Sequence, residues 1–389
     1  MVLSMKITGA EVYAIDLEKA AKEEIVKPTA LYFGPNKFIF IKLMTDEGIT
    51  GWGETSELPF KISTGANLIK EVVESVMAGT SPFDVEIAFR KIYGLGYVPG
   101  RPERTLMGIM SAIDMACWDI IGKAANQPIY NLLGGRVNSS LRTYTYVFSN
   151  HGDPVQWRED LLKYMEMGFT AIKFDPIPSP ISPKMLSLDE LKYFDGLMRL
   201  SRETVGNKCD ILVGTHGQFT TAEAIRLAKV LEPYNPLWYE EPVAPDHYEG
   251  MALVARSTSI PIAAGERLAT KYEFYQLINR NAIGVAQFDM GRVGGMLEAK
   301  KIAGMAETCH MVIAPHVYAG PILASASIQI DVCSPNFLIQ EGIFNWGGFH
   351  ADILEEPVKW EKGYITPSNK PGLGIALNED YVRKLCEYS

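Results

Sequence analysis

The sequence predicts an α/β barrel of the (β/α)8 kind preceded by a smaller α+β region, and three observations carry that expectation. Five short apolar runs in the second half each end in an acid or a histidine: Leu237–Glu240, Pro261–Glu266, Val285–Asp289, Met311–His316 and Phe337–Glu341. Their polar ends are about 23 to 27 residues apart, the length of one strand, one helix and their loops. The chain has 389 residues, and a barrel routinely takes roughly 200 to 250 of such a length, which leaves room for something smaller. Neighbouring parallel strands in a barrel end on one face, where residues distant in sequence converge. That convergence predicts an active site.

The first region reads as β, then helix. Lys6–Ile15, Phe38–Met44 and, after the turn signal Thr45-Asp46-Glu47-Gly48, Thr50–Glu54 form an antiparallel meander. From Asn67 to Lys123 the apolar positions fall at helical spacing, clearest in Leu106, Ile109, Met110, Ile113, Cys117 and Ile120. Pro128 to Arg136, with Gly134-Gly135, reads as the junction, because paired glycines after an apolar run end a helix. Beyond it come strands at Leu141–Val147, Thr170–Phe174 and Asp210–Gly214, then the five runs above, eight in all. Between them lie helical stretches such as Thr221–Leu231. Pro176 to Pro183 carries four prolines and so reads as a long loop on the catalytic face. The expected boundaries are 1–135 for the α+β region, 136–355 for the barrel, and 356–389 for a tail that packs back on the first region.

Composition excludes several classes. A net charge of -9 without a Lys/Arg block argues against nucleic acid or an anionic membrane as partner. Acidic substrates must then be met by local positive charge. The five cysteines are scattered, with no C-x-x-C spacing, so a reducing cytoplasm is expected rather than a disulfide framework. No apolar stretch reaches the roughly 18 residues of a membrane span, and Met1 to Asp16 lacks a signal-peptide core.

The polar strand ends carry the chemistry. Glu240 and Glu266 end adjacent strands, where two close carboxylates repel unless a cation or proton lies between them. A hard divalent ion such as Mg2+ satisfies them; pairing with a basic neighbour such as Arg267 is the alternative. Asp289 and His316 end the next two strands, and an Asp that fixes one imidazole nitrogen makes the other a general base or, once protonated, an acid. Glu341 ends the last strand and is suited to an oxyanion or a hydroxyl. On the other side, Lys173 and Asp175 share a face by alternation. Lys173 is suited to neutralise a substrate carboxylate or move a proton, unless it is simply paired with Asp175. His216, in Gly214-Thr215-His216-Gly217-Gln218, is a second acid/base candidate or a hydroxyl contact.

The order Lys-x-Asp, Gly-Thr-His-Gly-Gln, Tyr-Glu-Glu-Pro, Ala-Gly-Glu-Arg, Asp-x-Gly-Arg-x-Gly-Gly and Ala-Pro-His, with Glu341 last, resembles the mandelate racemase subgroup of the enolase superfamily. The likeness covers nearly the whole chain, including Gly51-Trp52-Gly53-Glu54, Ser111–Asp119 and Pro371-Gly372-Leu373-Gly374. It implies a modified TIM barrel, (β/α)7β, under an N-terminal α+β capping domain completed by the tail, with Mg2+ dependence and abstraction of a proton α to a carboxylate. By the resemblance Glu240 and Glu266 match the second and third metal ligands, Asp289 and His316 the dyad, and Glu341 the last-strand acid. Two positions depart. The first metal ligand falls on Gly214, which offers no side chain, leaving Asp175, His216, a water, or no metal; and the second lysine of a Lys-x-Lys pair falls on Asp175, which demotes racemisation.

The resulting expectation is an acid-sugar dehydratase for an aldonate or aldarate such as galactarate or gluconate. It would yield a 2-keto-3-deoxy acid, with His316 as acid and His216 or Lys173 as base. Asp175, Tyr144, Tyr146, Gln218, Arg267, Arg292 and His350 are the candidate substrate contacts. The alternatives are an epimerase or cycloisomerase and, from another class, a non-catalytic acid-sugar-binding paralogue. The resemblance also implies a homo-oligomer, dimer or octamer, acting on a small molecule.

Overall fold

A computed structural model describes residues 5–23, 25, 35–56, 61–94, 104–176, 185–342 and 344–387. Tyr32 to Gly34 lie outside the described residues, as does the proline-rich segment from residue 177 to Pro183, which the sequence reads as a loop on the catalytic face. The meander is present as β1 (Ile7–Asp16), β2 (Lys37–Thr45) and β3 (Thr50–Thr55), with β2 central and both pairings antiparallel. A short helix, α1 (Leu17–Lys22), follows β1. The helical spacing resolves into α2 (Ile62–Val72), α3 (Val85–Gly94) and α4 (Arg104–Ala124), with α5 (Ile129–Leu132) at the junction.

The alternating glycines of Gly51-Trp52-Gly53-Glu54 have a steric cause. A Cβ on Gly51 would lie 2.0 Å from the Ala116 carbonyl oxygen, and one on Gly53 1.9 Å from that of Ala112. Strand β3 therefore docks backbone to backbone on α4, which only glycine permits. One expectation needs correction here: α4 spans 21 residues and is apolar enough to cross a membrane by length and composition. Its apolar window is mostly buried inside the protein, so its hydrophobicity is accounted for by core packing.

All eight barrel strands form: β4 (Leu141–Tyr146), β5 (Ala171–Phe174), β6 (Asp210–Gly214), β7 (Trp238–Glu240), β8 (Ile262–Ala264), β9 (Val285–Ala286), β10 (Val312–Ile313) and β11 (Gln340–Gly342). Neighbours from β4 to β10 pair in parallel, and β11 pairs with β4. A parallel bridge between Ile313 and Phe337 joins β10 to the run entering β11, which closes the ring. Among the described residues seven helices fill the crossovers: α6 (Pro154–Glu166), α7 (Leu188–Val205), α8 (Thr221–Leu231), α9 (Tyr248–Arg256), α10 (Thr270–Ile278), α11 (Met296–Thr308) and α12 (Pro321–Val332). The eighth strand leads only to the single turn α13 (Phe349–Asp352). The architecture is thus (β/α)7β.

Each barrel strand or its immediate extension sends one side chain into a buried inner layer: Tyr144, Ala171, Leu212, Trp238, Ala263, Val285, Ala314 and Ile339. Large Tyr144 and Trp238, packed edge to face at 5.3 Å, are accommodated by three alanines. This layer floors the site. The tail serves both parts of the molecule: a hairpin, β12 (Trp360–Glu361) and β13 (Tyr364–Ile365), extends the sheet antiparallel from β4, whereas α14 (Glu379–Glu387) packs on β1. Asp119 of α4 accepts hydrogen bonds from Trp52 N (3.0 Å), Leu373 N (2.9 Å) and Lys123 Nζ (2.6 Å), tying strand, helix and tail together. All five cysteines are unpaired thiols.

Candidate active site

Above the floor, the strand ends meet in a cavity of about 240 Å³ whose polar wall is Lys173, His216, Glu266, Arg292, His316 and Glu341. Thr145, Tyr146, Phe148, Val317, Tyr318, Gly342 and Phe344 complete it. Parallel pairing sets these neighbours: Lys173 is in register with Tyr146, Gly214 with Glu240, and a bridge beyond the ends of β9 and β10 pairs Asp289 with His316.

Two imidazoles stand on two carboxylates. His316 Nδ1 and Asp289 Oδ2 are 2.7 Å apart, while Asp289 Oδ1 accepts from Gly291 N at 2.7 Å. Nδ1 carries the shared proton, so Nε2 is the working nitrogen, 3.4 Å from Glu266 Oε2 and 4.0 Å from Glu341 Oε2. Burial would lower the His316 pKa, but Glu266, Glu341 and Asp289 together raise it. His216 has φ +48°, an uncommon backbone for a residue with a Cβ. This conformation accompanies a hydrogen bond between its Nδ1 and Asp175 Oδ2. Burial again opposes, and the Asp175 contact and charge win, lifting His216 to about 9.

Lys173 does not pair with Asp175. Its Nζ donates to Glu240 Oε1 at 2.5 Å and lies 3.6 Å from Glu341 Oε1, with side-chain exposures of 2% for both Lys173 and Glu240. Burial would depress the ammonium, yet Glu240 and Glu341 raise its pKa well above the ordinary lysine value. Set between these two carboxylates, the ammonium is placed to neutralise charge. Glu240 Oε2 accepts from Trp238 Nε1 and Gln287 Nε2, each at 2.9 Å. Both of its oxygens are therefore engaged. Glu266 differs: its Oε2 is buried with no hydrogen bond. Burial would raise its pKa, but His316, Lys173, His216 and Arg292 hold it far below the usual carboxylate range.

The residues present do not fit the divalent cation that the resemblance implies. Gly214 supplies no donor, and a Cβ there would lie 2.2 Å from Asp175 Oδ1. Glu240 already accepts from three N–H groups, one of them the Lys173 ammonium. Among the described residues no three His, Cys, Asp or Glu side chains are grouped to hold a metal ion.

Five candidate substrate contacts are not on the cavity wall, Asp175 among them, bound to His216. Tyr144 belongs to the fully buried floor, one layer below Tyr146. Gln218 is buried in the loop after β6. Arg267 Nε donates to Glu241 Oε2 at 2.8 Å. His350 Nε2 is 2.8 Å from the Ala319 carbonyl oxygen and so braces the loop after His316; burial keeps this imidazole neutral by lowering its pKa. Tyr146 is on the wall, its hydroxyl accepting from Asp175 N at 3.1 Å.

The capping region contributes residues that the motifs did not single out. Ser56 Oγ accepts from Arg292 Nε at 2.9 Å, and Glu54 accepts from Gly320 N and Leu323 N (2.5 and 3.0 Å), capping α12 behind the His316 loop. Burial raises Glu54 to about 8, against the lowering effect of those two backbone donors. The acid closing Gly-Trp-Gly-Glu was the available signal. Gln287, which fixes Glu240, had none beyond its place on the inward face of a strand.

Residues 156–381 match the enolase C-terminal domain-like family model, and residues 20–134 match that of the mandelate racemase/muconate lactonizing enzyme N-terminal domain. The chain is 34% identical over 379 residues to a D-galactonate dehydratase of Xanthomonas campestris pv. campestris (strain B100), covering 94% of each chain. It is 33% identical over 360 residues to one of Klebsiella pneumoniae (strain 342), covering 90% of this chain and 91% of that one. A crystal structure from Labrenzia alexandrii DFL-11, assigned to the mandelate racemase/muconate lactonizing enzyme group, superposes with a TM-score of 0.91 at 46% identity. It covers 97% of this chain and 96% of its own.

Proposed function

This chain belongs to the mandelate racemase/muconate lactonizing enzyme family of the enolase superfamily, and we propose that it is an acid-sugar dehydratase acting on an aldonate or aldarate. The observation that carries the reading is the pair of carboxylate-bound imidazoles, His316 on Asp289 and His216 on Asp175, facing one small cavity that also holds Lys173 and Arg292. The names of the relatives, D-galactonate dehydratase, make galactonate the first substrate to try.

The substrate carboxylate seats against Lys173 and Arg292, the cations of the wall. His316 Nε2 lies beside Glu341, which neighbours Lys173, so it is the imidazole next to the α-carbon. In its neutral form it removes the C2 proton. The electron pair of that C–H bond forms the C2–C3 double bond as the C3–O bond breaks, and His216 gives its proton to the leaving hydroxyl, which departs as water. The enol then ketonises to the 2-keto-3-deoxy acid. The position of His316 beside Glu341 and Lys173 makes it the base and leaves the acid to His216, which keeps its proton to about pH 9, the reverse of the sequence expectation. Superfamily members generally use Mg2+, for which the first donor is missing at Gly214 in this chain.

A screen of aldonates and aldarates for 2-keto acid, trapped with semicarbazide, tests the reading. Keto acid from one or a few sugars supports it. Exchange of the α-proton with deuterated water and no keto acid would instead indicate an epimerase, since two imidazoles can also act as two bases. Binding with neither exchange nor product would leave the non-catalytic paralogue.

A further inference from the structure

The short donor set and the position of Lys173 belong together. We infer that Lys173 takes the place of the divalent cation in this chain, so that an ammonium rather than a metal ion neutralises Glu240 and receives the substrate carboxylate. The carboxylate half of this statement rests on the dehydratase reading; the metal half does not.

Three features of the site carry it. Lys173 Nζ is 2.5 Å from Glu240 Oε1 and 3.6 Å from Glu341 Oε1, so a full positive charge already sits between two strand-end glutamates. The other oxygen of Glu240 accepts from Trp238 and Gln287, and Lys173 itself occupies the remaining oxygen, so a metal ion would compete with the ammonium for it. The place of the first ligand has no side chain of its own: Gly214 has nothing to offer, and the Asp175 carboxylate, whose Oδ2 is committed to His216 and whose Oδ1 is buried without a hydrogen bond, fills the space a side chain at 214 would need. A metal ion entering here would have to displace a buried ammonium or be repelled by it. Lysine has three N–H donors, and because Lys173 also lines the cavity, one remains to meet a substrate carboxylate and the charge that grows on it as the α-proton leaves.

Mn2+ binding to the intact enzyme, read by the loss of the free-ion electron paramagnetic resonance signal, tests the metal half directly, with and without an acid sugar. The expected result is no stoichiometric Mn2+ site in either condition. One tight Mn2+ per chain would overturn the inference, whatever the substrate. With a turnover assay in hand, chelator-treated enzyme should retain its rate, and Lys173→Met should lose most of kcat/KM without rescue by Mg2+. A rate abolished by chelator and restored by Mg2+, or a fully active Lys173→Met enzyme, would equally overturn it. Should no acid sugar turn over, the dehydratase reading fails, and the Mn2+ titration still decides the metal question.

Discussion

Replacing Asp175 by asparagine separates the two imidazoles, because it alters one carboxylate and leaves the other dyad intact. Asp175 accepts the His216 Nδ1–H and, against burial, lifts His216 from 6.5 to about 9. Asparagine keeps the size and an acceptor oxygen but loses the charge, so the imidazole falls to about 6.5 or below, a drop of about 2.5 pH units (9 − 6.5). At pH 8 a group of pKa 9 is about 90% protonated and one of pKa 6.5 about 3%, so a step that needs the imidazolium slows about 30-fold. Near pH 6 both forms are largely protonated and the enzymes should differ little. The assay is kcat against pH for Asp175→Asn and wild type, with the His216 ring followed by NMR. The alkaline limb should move from near 9 to near 6.5. Stability follows the same sign: a raised histidine pKa contributes fully below about 6.5 and loses its contribution as pH climbs through 9, so that loss should vanish in the variant. If NMR shows His216 shifted while the alkaline limb stays near 9, His216 is not the acid.

Other substitutions test separate parts of the account. His316→Asn should reduce turnover by about 10²-fold or more while substrate affinity, measured by calorimetry, is retained; unchanged turnover would remove His316 from the chemistry. Lys173→Ala should leave Glu240 buried without its cation and cost about 3 to 5 kcal/mol in denaturant unfolding, with part regained in the double variant carrying Glu240→Gln. Gly53→Ala places a methyl 1.9 Å from the Ala112 carbonyl oxygen, so the strand must move off α4. A loss of about 1 to 3 kcal/mol or more is expected in the same assay.

Much of this was legible because the barrel imposes a rhythm on the chain. Of the strand-end residues, Glu266, His316 and Glu341 line one cavity, and Asp289 and His316 are placed side by side by strand register, which alternation and spacing capture. What the sequence hides is which side chain reaches which partner. Lys173 and Asp175 share a face, yet one reaches over β6 to Glu240 and the other turns to His216, where Gly214 leaves space. Tyr144 and Tyr146 also share a face, but two residues of rise separate a floor from a wall. The strands at Val285 and Val312 are shorter than their apolar runs, since the ladder gives way near the top to the bridge that holds the dyad. Ser56 and Glu54 act at the site from the cap, more than 200 residues away in sequence from Arg292 and Gly320. No local pattern encodes such contacts.

The most direct test of the central claim is to incubate wild type and His316→Asn with galactonate and related acid sugars in deuterated water and to analyse the product by NMR. The account predicts a 2-keto-3-deoxy acid from wild type, formed with loss of the C2 proton, and none from His316→Asn. Recovery of the unchanged sugar with deuterium at C2 and no keto acid would contradict it.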